Sequence, residues 1–303
     1  MNKLKILIIG GSGAIGFNLI KYLKNGNDVH FTYFKNKIPE PNGYELNIVN
    51  KENTVNLINN IKPDIIIHTA ALTNVDICET EKELANSINV NGTKNIIEGA
   101  KKSNSKIIFV STSAVFSGNK KENFEEDVRD PISNYGITKV TGEKAVQQSG
   151  LPYLILRTDQ PYCWPEKWQH TNSVKRVIET LKSNSSLKEI EDWYNTPTYV
   201  LDFVKATIKL IQIKEVGIFH LVGSDFLNRV EWALLTAEIF KLKKELIQPI
   251  NSKELDLKAK RSNVKLNNEK IKKKIKISFL GIKDGLIEMK KSYHEINSNT
   301  ELK

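Results

Sequence analysis

In the stretch SNYGITKVTGEK, Tyr135 and Lys139 stand four residues apart, a spacing that puts both side chains on one face of a helix. A phenol beside an ammonium can exchange a proton with a carbonyl oxygen, because the neighbouring positive charge draws its pKa down from about 10. Upstream, IIFVSTSAVFSG sets Ser111, Thr112 and Ser113 at the end of an apolar run, where a hydroxyl can hydrogen-bond the same oxygen. The chemistry these types suggest is carbonyl reduction, with one group polarising the oxygen, one protonating it and a hydride arriving from a bound carrier. Taken singly, a Tyr-x-x-x-Lys pair is more often solvated helix surface, and Ser-Thr-Ser more often a turn that ends a strand. Their order and spacing along one chain favour the chemical reading.

A hydride carrier needs a phosphate cradle, and IIGGSGAIGFN supplies one near the start of the chain. Gly11, Gly13 and Gly16 fit G-x-G-x-x-G, while Gly10, Gly13 and Gly16 fit G-x-x-G-x-x-G. Either register turns the backbone sharply after a strand, brings N–H groups against a pyrophosphate and starts a helix whose positive end faces it. The expected cofactor contacts here are Gly10, Ser12, Gly13, Ala14, Ile15 and Gly16.

These groups must be positioned by strands and helices. The runs LKILIIG, DVHFTYF, DIIIHTA, KIIFVST, YLILRT and GIFHLVG alternate with helical stretches, which predicts βαβ units around a parallel sheet buried on both faces. The fold class is therefore α/β, a Rossmann-type doubly wound sheet. Residues 1–150 are expected to bind the cofactor, and residues 151–303 to form a smaller substrate-binding lobe whose strands return to the sheet. The first helix should begin at Ala14 or Ile15 and stop near Gly26. The Tyr135 helix should begin after Pro131 with Ser133 or Asn134 as its cap. Beyond residue 150, QPYCWPEKWQHTN is rich in aromatic and amide side chains and reads as a loop lining a site.

Composition narrows the classes. The chain has 303 residues, 40% hydrophobic and 26% charged, and no apolar run approaches the ~18 residues that span a bilayer. The net charge of +10 is spread along the chain rather than clustered, so nucleic-acid binding is disfavoured and a phosphate-bearing small substrate is accommodated equally well. Two cysteines, Cys78 and Cys163, are too few for a disulfide scaffold and point to a reducing cytoplasm. No membrane partner is expected, no cluster has metal-ligand spacing, and a monomer or homodimer is the expected state.

Together these motifs resemble the extended short-chain dehydrogenase/reductases, and among them the dTDP-4-dehydrorhamnose reductase family. HTAALTNVDICE, INVNGTKNI, STSAVFSG, YGITKVTGE, LRTDQPY, DWYNTPTYVLDF and KRSNVKL carry the likeness over nearly the whole chain. The resemblance implies Tyr135 as proton donor, Lys139 as its electrostatic partner and ribose anchor, and Thr112 as the hydroxyl that polarises the carbonyl. It implies cofactor contacts at Ala70, Ala71, Thr73, Asn47 and Ile48, and a water relay at Asn89. Thr73, Val75, Asp76, Thr112, Ser113, Gln160, Trp164 and Asn172 would meet a nucleotide-linked sugar, with Trp168 a second aromatic wall. The chain departs from the family at Ser113-Ala114, where Asp-Tyr is usual, and at Gln160, where a Trp is common. Ser113-Ala114 also lacks the acids of nucleotide-sugar dehydratases, so the reading is reduction of a 4-keto group on a nucleotide-linked 6-deoxy sugar. A non-catalytic dinucleotide-binding subunit, like the methionine adenosyltransferase regulatory subunit, is the alternative.

The cofactor is expected to be NADPH, with NADH possible. An NAD-specific site holds a carboxylate at the end of the second strand, and DVHFTYFKNK offers Tyr33 there, followed by Lys35 and Lys37.

Overall fold

The computed structural model describes residues 3–298. In β1 (Lys5–Ile9), Ile6 and Ile8 enter one hydrophobic cluster while Leu7 and Ile9 enter another, as side chains alternating along a strand must. A strand apolar on both sides needs cover on both. The same alternation recurs in β4 (Ile65–His68), β5 (Lys106–Thr112) and β6 (Tyr153–Thr158), where Ile67, Ile108 and Leu156 face one cluster and Ile66, Phe109 and Ile155 the other.

These strands form a seven-stranded parallel sheet with β2 (Asp28–Tyr33), β3 (Gly43–Glu45) and the strand Gly217–His220. Its spatial order is Gly217–His220, β6, β5, β4, β1, β2, β3. Six of the seven match the apolar runs read from sequence. The three-residue β3 has no apolar run to announce it. It pairs along Phe31, whose ring fills the space where a side chain at Gly43 would sit.

Helices α1 (Ala14–Leu23) and Val200–Gln212 cover the Ile6 side, and α2 (Lys51–Ile61) with Gly92–Ser103 the Leu7 side. The sheet is thus doubly wound, and its order reverses direction between β1 and β4, the place where such sheets open a crevice. After β6 the chain builds further apolar clusters from Ser173–Lys182, Arg229–Phe240 and the helix Ile282–Ser298, through residues such as Val174, Trp232 and Leu286. No described helix is long and apolar enough to cross a membrane.

Candidate active site

The chain leaves β1 through Gly10, whose φ of +93° side-chain-bearing residues rarely adopt, and a Cβ there would stand 2.7 Å from the Ala70 nitrogen. A Cβ on Gly16 would collide with the Gly10 carbonyl oxygen. Gly13 is the N-cap of α1 and brings no side chain to the helix end, so the first-turn N–H groups are left for another acceptor. Gly11 instead packs against Ile20 and Phe31. The backbone therefore requires glycine at Gly10 and Gly16, the two ends of the G-x-x-G-x-x-G register, while Gly13, with φ of −71° and only the Gly10 carbonyl oxygen 3.5 Å from a Cβ, serves by leaving the helix end bare, and this uncapped helix start beside the β1–β4 reversal fits a pyrophosphate.

Across the crevice, Ser133 caps the helix Asn134–Gln147, its hydroxyl accepting from the Gly136 N–H at 3.2 Å. Tyr135 thus lies in the first turn and Lys139 one turn on. The Lys139 ammonium donates to the Val110 carbonyl oxygen at 2.8 Å and lies 4.0 Å from the Phe109 ring centroid. Burial draws its pKa down to about 7, against the opposing pull of Glu143. Burial would raise Glu143, yet hydrogen bonds from Arg157, Ser111 and Arg129 keep its carboxyl below the usual range.

Tyr135 is hydrogen-bonded with Thr112, and burial pushes its phenol well above its ordinary value. The expectation that Lys139 lowers it does not hold here. The amine is turned to Val110, and the cost of placing a phenolate out of water outweighs other influences. A phenol held protonated at neutral pH is the form a proton donor needs.

Thr112, Tyr135 and Lys139 line one cavity of about 430 Å³ that runs from Ile15 on α1 to Lys260 and Arg261. The RmlD substrate binding domain family matches residues 4–294 of this chain. The chain belongs to that family. A dTDP-4-dehydrorhamnose reductase of Aggregatibacter actinomycetemcomitans is 30% identical over 76% of this chain and 77% of its own length. Methionine adenosyltransferase 2 subunit beta of Rattus norvegicus is 27% identical over 81% of this chain and 75% of its own. Among solved structures, dTDP-4-dehydrorhamnose reductase from Bacillus anthracis str. Ames, in complex with NADP, superposes with a TM-score of 0.85 at 26% identity, covering 95% of this chain and 98% of that one.

Against this family background, Ile15, Ala71, Thr73, Val75, Thr112, Ser113, Tyr135, Lys139, Gln160 and Asn172 come together on the cavity wall. Ser12, Gly13 and Ala14 form the turn beside it, with Ala70 beneath Gly10. Tyr33 ends β2, and Lys35 and Asn47 are exposed near it. The Ile48 side chain is buried against Gly92 and its carbonyl oxygen accepts from Asn95 at 2.9 Å, so a cofactor contact there falls to its backbone N–H.

Asp76 is not among the residues that line the cavity. Its carboxylate accepts from the backbone N–H groups of Lys258 and Ala259, both at 3.0 Å, and pairs with Arg261 at 2.5 Å. It anchors the segment that carries Lys260 and Arg261 into the cavity instead of lining it. Trp164 packs edge-on to Phe240 and donates to the Met289 carbonyl oxygen, and Trp168 packs edge-on to Phe17. Both rings fasten the 160–172 loop from behind, while its ends, Gln160 with Pro161 and Thr171 with Asn172, line the cavity. Asn89 lies in a π-helical turn, Ser87–Asn91, and its amide exchanges hydrogen bonds with the Leu72 backbone and Thr138. It ties the loop after β4 to the Tyr135 helix.

Sequence reasoning missed Asp159, Trp193, Asn195, Lys260 and Arg261 on the wall. The Trp193 ring lies 5.3 Å from the Arg229 guanidinium and 5.6 Å from that of Arg261, so the aromatic surface comes from a segment far along the chain. Asp159 was the most legible of these, since it follows Thr158 at the end of β6 as Ser113 follows Thr112 at the end of β5.

Proposed function

We propose that the chain reduces the 4-keto group of a nucleotide-linked 6-deoxy sugar with NADPH, NADH being a usable second cofactor. The observation that carries this reading is the convergence of Thr112, Tyr135 and Lys139 on the cavity that begins at the Gly10–Gly16 turn. Residues 1–150 hold the cofactor in this reading and residues 151–303 most of the sugar nucleotide. The cofactor, when bound, supplies the hydride. The uncapped N-terminus of α1 takes its pyrophosphate, and Lys139 anchors its ribose. Thr112 donates a hydrogen bond to the substrate carbonyl oxygen, and Tyr135, held protonated by burial, gives that oxygen its proton as negative charge builds. Arg261, fixed by Asp76, and Lys260 face the substrate phosphates.

The similarity to methionine adenosyltransferase 2 subunit beta supports a second reading, in which the chain binds the dinucleotide and serves as a regulatory subunit. The test is NADPH oxidation on adding dTDP-4-dehydrorhamnose. Turnover that falls at least ~100-fold in Tyr135→Phe, with cofactor binding kept, supports the reductase. NADPH binding without turnover in the wild type supports the subunit.

A further inference from the structure

The parallel register of β5 and β6 sets Thr112 opposite Thr158, so the next residues, Ser113 and Asp159, emerge side by side at the carboxyl edge of the sheet. The Ser113 hydroxyl donates to one Asp159 oxygen at 2.8 Å, and the Thr196 N–H donates to the other at 2.7 Å. Asp159 is 5% exposed and lines the cavity that holds Tyr135. Burial raises the pKa of this carboxyl, and the Thr196 N–H, the Ser113 hydroxyl, the Arg229 charge and the neighbouring Asn195 side chain oppose that rise. Beside an ionised carboxylate, which only accepts, the Asn195 NH₂ is the end that suits Asp159 and Oδ1 is the end left over. That Oδ1 is buried and has no hydrogen-bond partner among the described residues, and Asn195 is itself a wall of the cavity, only 3% exposed. An orphaned buried acceptor is costly unless a ligand satisfies it.

The wall therefore holds two acceptors, Asp159 lining the cavity and the Asn195 Oδ1 just beneath its surface, and what fits them is a donor. The surrounding charges indicate that the donor is neutral. Glu189 pairs with Arg176 and lies 3.9 Å from Arg229, which also acts on Asp159, so two carboxylates already face two guanidiniums and no further cation is called for. On a 4-keto-6-deoxy sugar, carbon 5 bears only a methyl and a hydrogen outside the ring, leaving the hydroxyl on carbon 3 as the donor that flanks the reacting carbonyl. We propose that Asp159 and Asn195 form a sugar-selecting subsite that accepts hydrogen bonds from the 3-hydroxyl next to the ketone. This rests on the reductase reading above. The acid stands on β6, while the β5 position beside it carries Ser113.

The experiment compares kcat/KM for dTDP-4-dehydrorhamnose and its 3-deoxy analogue in wild type, Asp159→Ala, Asn195→Ala and the double variant S113D/D159S, with melting temperatures recorded for each. The wild type should prefer the 3-hydroxy sugar by at least about tenfold. Each single variant should lose most of that preference, chiefly through KM for the 3-hydroxy sugar, while the rate on the 3-deoxy sugar changes little. The double variant, which moves the acid one strand over, should recover part of it, and a purely structural Asp159 would show no such rescue. Should Asp159→Ala fail to fold, Asn195→Ala and the double variant decide. Equal use of both sugars by the wild type, or a preference that survives in folded single variants, would overturn the subsite alone. Turnover of neither sugar by the wild type would overturn the reductase reading and the subsite with it.

Discussion

The Lys139 ammonium has one carbonyl oxygen and one aromatic face for company, a setting that compensates poorly for the water it has lost. Its pKa of about 7 has a direct kinetic consequence. Below that pH the side chain is a cation able to hold a ribose and steady negative charge near Tyr135; above it the charge is lost. Tyr135 does not titrate in the same range, since burial moves its phenol upward. For the proposed reductase, kcat/KM should therefore fall on an alkaline limb with an apparent pKa near 7, approaching tenfold per pH unit well above it. Lys139→Arg keeps a cation at every accessible pH, so its rate should be lower but the limb absent. An unchanged limb in that variant would assign the titration to another group.

At the scale of elements, we propose that the end of β2 sets cofactor choice. Lys35 and Lys37 are exposed just beyond Tyr33, and Glu40, the next acid along, is held by Lys24 at 2.9 Å. β2 itself ends without a carboxylate, and although Glu45 of β3 stands beside Tyr33 in register, the two exposed lysines outnumber it, so NADPH should be preferred. Lys35→Ala or Lys37→Ala should cut kcat/KM for NADPH by about five- to thirtyfold, the scale of one charge-assisted contact, with NADH little affected. A wild-type preference for NADH, or NADPH use unchanged in both variants, would refute this account. The same elements explain what sequence could disclose. Local rules found the α1 and Asn134–Gln147 helices, because the Gly10 turn and the Ser133 cap are written in adjacent residues. They could not reveal that Trp164 and Trp168 face inward, since the partners Met289 and Phe17 lie far off in sequence. Nor could they bring Trp193, Asn195 and Arg261 to the cavity, for those arrive only when the segments after β6 fold back over the sheet edge.

The molecule as a whole closes over groups that must stay uncharged, and this links folding to pH. His68 ends β4 beneath the crevice, 2% exposed and 5.4 Å from the Phe109 ring. The Thr93 hydroxyl already donates to the Asn89 carbonyl oxygen at 2.7 Å, so the His68 Nε2–H is the donor in its 3.0 Å contact with Thr93, and Nδ1 is a buried acceptor with no partner among the described residues. Burial, helped by the nearby Lys139 charge, lowers its pKa to about 3. In the unfolded chain the imidazole regains an ordinary value near 6.5. Between these values the unfolded state binds a proton that the folded state refuses. The stabilisation from a neutral His68 is therefore full above about pH 6.5 and is lost progressively as pH falls toward 3. His68→Gln keeps a polar group beside Thr93 but removes the titration. Urea unfolding of both proteins at pH 7 and pH 5 isolates the effect, because the other titrating groups are common to the pair. The stability difference, wild type minus variant, should become about 2 kcal/mol less favourable to the wild type at pH 5 than at pH 7. A difference independent of pH over that interval would mean that His68 takes up its proton in the folded state, and that the crevice floor admits charge that its apolar surroundings should exclude.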